Sequence, residues 1–147
     1  MQNSDETLLS LGRMFGQTAR RWRQILDTRL QPYGLTDATW QPLVELKRQG
    51  RPLNQKDIAA ALLLDKSSVV RTLRNLESQG LITRVPDATD GRAWCVIITD
   101  RGLELCDTVL RVASSIEKEV FEMLGHQGPA VKVVVGEVLD IVMNIKN

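Results

Sequence analysis

Apolar positions recur along this chain at helical steps almost everywhere, and at alternating steps in one short stretch. Leu8, Leu11, Phe15, Ala19, Trp22, Leu26 and Leu30 follow three- and four-residue steps. That spacing predicts one long amphipathic helix ending before Pro32. Tyr33-Gly34 reads as a turn. Thr36 or Asp37 can cap the next helix, whose apolar positions Trp40, Leu43, Val44 and Leu46 precede a stop at Gly50. Pro42 is expected in its first turn or just beyond, where a missing N–H costs little. Asn54 caps a short third helix, Gln55 to Leu64, whose alanines let another helix cross closely. Asp65 caps a fourth helix that ends at Gly80.

The fourth helix has two unlike faces. Val69, Leu73 and Leu76 share one; Ser67, Ser68, Arg71, Thr72 and Asn75, short-chained and able to hydrogen-bond, share the other. Leu81 to Val85 and Trp94 to Thr99 read as two strands. Val96 and Ile98 fall on one face by the period of two, with Trp94 beside them. The connection, Pro86 to Arg92, is turn-forming throughout and carries an arginine at its tip. A fifth helix starts near Asp100, with the stripe Leu103, Cys106, Leu110, Ala113, Ile116, Val120 and Leu124. In the last segment, Val131, Val134, Val138, Ile141 and Ile145 keep a helical spacing, which outweighs the local strand preference of valine.

The expected fold is mainly α with a small two- to three-stranded β-wing. It is a winged helix-turn-helix whose N- and C-terminal helices form a dimerisation lobe. Residues 1–34 and 126–147 are assigned to dimerisation, 35–99 to the winged helix-turn-helix, and 100–125 to a long helix connecting the lobes. The first helix and the last two carry more apolar stripe than one small winged lobe can cover, so a second copy is the simplest partner. Two recognition helices on a two-fold axis would sit about 34 Å apart and read a palindrome.

Composition changes this picture in one respect. The net charge is only +1, which is weak support for a polyanion partner. Residues 13–51 carry a net +5, residues 52–98 a net +1 and residues 99–147 a net −3. The positive excess therefore lies outside the helix expected in a groove. Such a reader depends on a few placed arginines more than on a broad basic field. No apolar run spans a membrane, and the first residues do not read as a secretory signal. Two cysteines are too few for a disulfide scaffold, and a reducing cytoplasm is the expected location.

Taken together, the motifs resemble the MarR family of winged-helix transcriptional regulators, and within it the SlyA-like branch. The residues that carry the resemblance are Gln55-Lys56-Asp57-Ile58-Ala59, Val69 to Leu73, Leu76-Glu77, Gly80 to Arg84, Asp90-Gly91-Arg92, Ile98-Thr99 and Gly102. Trp22-Arg23, Leu26-Asp27, Arg29-Leu30, Pro32, Leu35-Thr36 and Trp40 look like the SlyA-like first and second helices. The resemblance implies a homodimer paired through its first and last helices. It puts the fourth helix in the major groove and the wing tip in the minor groove. It also implies an anion or small phenolic compound bound between the lobes. One position departs from the pattern: SlyA-like wings often carry two adjacent basic residues after the aspartate, and here the first is Gly91.

Arg71 is the expected reader of a guanine or holder of a phosphate; the plain alternative is a solvated arginine. Ser67 and Ser68 stand where base edges are approached and are expected to contact a base or a phosphate, although first-turn serines are common in any helix. Arg92 is expected in the narrowed, negative minor groove. Asp90 would be repelled by phosphate, so its expected role is to orient Arg92 or Arg71 by a charge-assisted bond. Thr72, Asn75, Arg74, Arg84 and Lys66 complete the DNA-facing set, the last three as phosphate contacts. Arg20 and Arg23 share a helix face, and with Trp40 they could take an aromatic carboxylate; the alternative is a structural ion pair with Asp27 and a core tryptophan. Cys95 points away from the Val96 face and is expected to be partly exposed but unreactive, for lack of a basic setting. Cys106 is expected in the core, and His126 as a cap or surface residue.

The sequence shows no paired carboxylates, Ser–His arrangement, phosphate loop or metal cluster, so an enzyme, a metal site and a cofactor are not expected. A winged-helix protein–protein adaptor remains the alternative to a DNA reader. The polar face of the fourth helix argues against it, because interface cores favour aromatic anchors.

Overall fold

The computed structural model describes residues 10–147. Leu8 of the expected first stripe lies outside the described residues. Helix α1 is Leu11–Leu30, capped by Ser10, whose hydroxyl accepts from Arg13 N at 3.3 Å. A 3-10 turn, Gln31–Tyr33, leads to α2, Asp37–Gln49. The two-residue strand β1 is Leu53–Asn54, followed by α3, Gln55–Leu62, and α4, Lys66–Ser78. Strands β2 and β3 are Ile82–Pro86 and Trp94–Ile98. Helix α5, Asp100–Leu124, is followed by a 3-10 turn and α6, Gly128–Asn144. The mainly helical fold with a small antiparallel sheet is the winged-helix class expected from the sequence.

The sheet has the order β1-β3-β2, with Leu53 opposite Val96 and Arg84 opposite Val96 on the other side. The core beside it gathers Leu43 and Leu46 from α2, Ile58 from α3, Val69, Leu73 and Leu76 from α4, and Cys106 from α5. The chain divides into two compact units, the first reaching Leu110 and the second Arg111–Asn147, so the division falls inside α5.

Pro42 lies just beyond the first turn of α2, as expected, and is fully buried. Several other local expectations need correction. Helix α3 ends two residues early, because Leu63 turns into the left-handed region at φ 54°. It is the one non-glycine residue with positive φ among the described residues, and it is 81% exposed. Cys95 is buried, at 8% exposure, because β3 is the central strand and is flanked on both sides. Trp94 is 54% exposed, since it stands at the far end of β3 opposite Pro86, away from the helices that cover Val96. On α5, Val109 is buried while Leu110 is exposed, so the covered stripe is displaced by one residue there. The last segment is helical, as its spacing predicted.

Candidate nucleic-acid interface

Helix α4 is set by its own sequence at both ends. The Asp65 carboxylate caps the start, and Gly80, at φ 72°, takes the left-handed turn just after the end. Val69, Leu73 and Leu76 are buried, and this fixes the rotation of the helix. Ser67, Arg71, Arg74 and Asn75 are left exposed, with Ser68 and Thr72 half-buried at the edge. The two serines are not free hydroxyls. Ser67 Oγ donates to Asp65 Oδ1 at 2.7 Å, and Ser68 Oγ donates to Asp65 Oδ2 at 2.8 Å. Ser68 N adds a bond to Asp65 Oδ1 at 2.8 Å. These bonds, the one from Ser67 first, lower the Asp65 pKa to about 2.

The wing tip is exposed from Ala88 to Arg92. Asp87 Oδ1 accepts from the Thr89 amide and hydroxyl, both at 2.9 Å, which tightens the turn. The Asp90 carboxylate accepts from the backbone amide of Arg92 at 3.0 Å. It therefore holds Arg92 through the main chain, and Arg92 itself is exposed. The expected charge-assisted bond to a side chain of Arg92 or Arg71 is replaced by this turn bond, because two residues is the natural reach of an aspartate to its own backbone. Arg84 is also committed: its Nε donates to Glu77 Oε2 at 2.6 Å.

The residues proposed for a ligand separate. Arg23 lines a cavity of about 380 Å³ with Gln41, Pro42, Leu62, Leu64, Ser68, Arg71 and Thr72. Arg20 and Trp40 are not among its lining residues. The Arg20 guanidinium lies back along α1 beside Gly16. Trp40 is half-buried, with its buried Nε1 lacking a hydrogen-bond partner. Sequence reasoning did not foresee that Arg23 and Arg71, 48 positions apart in the numbering, would line one cavity.

The Cys95 thiol lines a different hollow with Arg51, Asn54, Asp57 and Asp87. Burial, then the Asp87 carboxylate, pushes its pKa up. Burial raises that of Cys106 to about 11. Both are free and held protonated, the opposite of a reactive thiolate. Among the described residues no group of three or more His, Cys, Asp or Glu could hold a metal ion. No helix among them is long and apolar enough to cross a membrane.

A model of the MarR family matches residues 33–93, which run from the turn before α2 to the wing tip. The chain is similar to the crystal structure of transcriptional regulator PA3341, at 30% identity and a TM-score of 0.78, covering 92% of this chain and 100% of that one. It is similar to MepR of S. aureus in its complex with DNA, at 25% identity and a TM-score of 0.74, covering 90% of this chain and 96% of that one. It shares its fold with wild-type MarR of E. coli in the apo form, at 22% identity and a TM-score of 0.79, covering 89% of this chain and 97% of that one.

Proposed function

The chain belongs to the MarR family of winged-helix transcription regulators, and from that premise we propose that it acts as a homodimeric, sequence-specific DNA reader of palindromic operators. Helix α4 enters the major groove and the wing tip the minor groove. The observation that carries this reading is the exposed polar face of α4, with Arg71 and Asn75 outward, beside a wing whose Arg92 is exposed and held only through its backbone. The complex of the similar MepR with DNA supports it. The quoted helix and wing motifs favour the SlyA-like branch.

The second copy would pair through apolar surface that the single chain leaves open. On α6, Val134, Leu139, Ile141, Val142 and Met143 are all exposed, more than a solitary helix face tolerates in water. Leu139→Glu with Val142→Glu would leave a lone chain's fold intact and split a dimer. Light scattering reads the outcome; an unchanged mass would refute pairing through this face.

An aromatic carboxylate is the proposed effector. Of the residues first considered for it, Arg23 has the best case, because the cavity it lines also contains Arg71. An anion bound between them would compete for the guanidinium offered to DNA. The ligand can release DNA only as far as it binds the DNA-free form better. Unchanged operator affinity with millimolar salicylate would remove this part of the proposal.

The central test is a mobility-shift titration on genomic fragments across a salt series. Specific binding should lose affinity steeply with salt, and Arg71→Ala should lower it by roughly tenfold or more, from the loss of a base contact worth about 1–3 kcal/mol. Binding that ignores sequence, with no loss in Arg71→Ala, would leave the adaptor reading in its place.

A further inference from the structure

At the start of α4, one carboxylate holds two hydroxyls that face the proposed groove. Ser67 Oγ and Ser68 Oγ lie 2.7 Å and 2.8 Å from the two oxygens of Asp65. A serine hydroxyl has one proton, and an ionised carboxylate can only accept. Each serine must therefore be the donor in its bond to Asp65. Its proton is committed, and only oxygen lone pairs remain to face outward.

We propose that Asp65 is a specificity-determining positioning residue: it fixes Ser67 and Ser68 as acceptors, so that they read base N–H donors in the major groove and do not hold phosphate. This rests on the DNA-reading function proposed above and says which edges the first turn of α4 selects. Phosphate oxygens are acceptors only and would meet the serine lone pairs without a proton between them. The Asp65 charge also occupies the positive end of the helix, where a phosphate would otherwise be drawn. In the major groove the available donors are the adenine N6 and cytosine N4 amino groups. One turn further along, the exposed Arg71 brings donors only, suited to guanine O6 and N7. The face of α4 thus presents acceptors at its start and donors at its middle. The bonds from Ser67 and Ser68 lower the Asp65 pKa to about 2, so the carboxylate is ionised at neutral pH.

Asp65→Asn separates this role from simple capping. Asparagine caps a helix about as well as aspartate, and its side-chain oxygen can still accept from Ser68 N. Its amide NH2, however, is a donor, so the serine facing it must accept and turn its own proton outward. The experiment is enrichment from a randomised duplex library by the full-length wild-type chain, by Asp65→Asn and by the Ser67→Ala, Ser68→Ala double variant. The wild type should favour adenine or cytosine at the position facing the serines. Asp65→Asn should shift that position toward guanine or thymine by about tenfold, the scale of one base-edge contact. The double variant leaves the cap untouched; it should lose the preference there and keep guanine opposite Arg71.

If Asp65 is only a cap, Asp65→Asn leaves the sequence preference where it was, with affinity little changed or changed alike on every sequence. That result overturns the inference, as does an unchanged preference in the double variant. Enrichment of no sequence by the wild type would instead overturn the DNA-reading function on which it rests.

Discussion

Arg84 and Glu77 join β2 to α4: Arg84 Nε donates to Glu77 Oε2 at 2.6 Å. Both side chains are partly open to solvent, so the pair adds little to stability, on the order of 0–1 kcal/mol. Its larger effect is on charge. It neutralises an arginine proposed as a phosphate contact. Glu77→Gln should free Arg84, raise DNA affinity at low salt, and steepen the logarithmic salt dependence by about one. Fluorescence anisotropy at several salt concentrations reads both. An unchanged slope would show that Arg84 makes no phosphate contact even when released.

The wing tip has room for a second cation. A side chain at Gly91 would meet nothing within 4 Å, and its backbone is not in the left-handed region that glycine favours. Gly91→Arg should leave the thermal midpoint unchanged and tighten DNA binding, with a salt slope again steeper by about one. A loss of affinity would mean that the turn needs glycine for close approach to DNA.

Gly102 is the opposite case. A Cβ there would run into the Leu81 carbonyl oxygen and come within 2.7 Å of Ile98 Cγ1. The start of α5 is pinned in this place, since Gly102 N donates to Thr99 Oγ1 at 3.1 Å and Thr99 Oγ1 donates to the Gly80 carbonyl at 2.7 Å. Gly102→Ala should therefore cost roughly 1–3 kcal/mol, the range for forcing atoms into a filled space. Urea unfolding measures it; a neutral result would show that α5 can shift without penalty.

Acid should erase the contribution of the Asp65 carboxylate. The Asp65 pKa is lowered from an ordinary value of 3.8 to about 2, through its bonds from Ser67 and Ser68. A carboxylate with a depressed folded pKa stabilises the fold above its unfolded pKa and loses that contribution as pH falls through the folded value. The difference in urea midpoint between the wild type and Asp65→Ala should be full above pH 4 and shrink between pH 4 and 2. A difference that stays constant across that window would contradict the bonding described.

The thiols should be slow to react. Cys106 is fully buried with its pKa raised to about 11, and Cys95 is raised by burial and by Asp87. An aromatic disulfide reagent at pH 8 should label neither quickly in the native protein and both in denaturant. Rapid labelling of one thiol in the native state would reopen a redox role for it.

Much of the fold was legible because its signals are local. Helix α4 is an example: a capping aspartate, an apolar face at three- and four-residue steps and a glycine stop all lie within sixteen residues of Asp65. The caps at Asn54 and Asp65 were read correctly, because a side chain that bonds an amide three residues on needs nothing from elsewhere. The wing was legible for the same reason, with a turn-forming segment between two runs of strand-forming residues. Predictions failed where coverage depended on distant elements. Strand alternation assigns Cys95 a face but cannot say that a third strand, β1, flanks it. Nor can helical spacing decide between Val109 and Leu110 on α5, since that depends on what packs there.

The sequence by itself determined the order of the helices and of the two longer strands, which face of α4 is polar, and the single basic residue at the wing tip. Periodicity, capping and turn chemistry act over a few residues and can be read along the chain. Only the tertiary structure decided how the polar residues are employed. It paired Arg84 with Glu77, closed the space at Gly102 while leaving it open at Gly91, and brought Arg23 to the cavity that Arg71 lines. Those outcomes depend on atoms far apart in the chain arriving within a few ångströms of one another, and no local pattern records that distance.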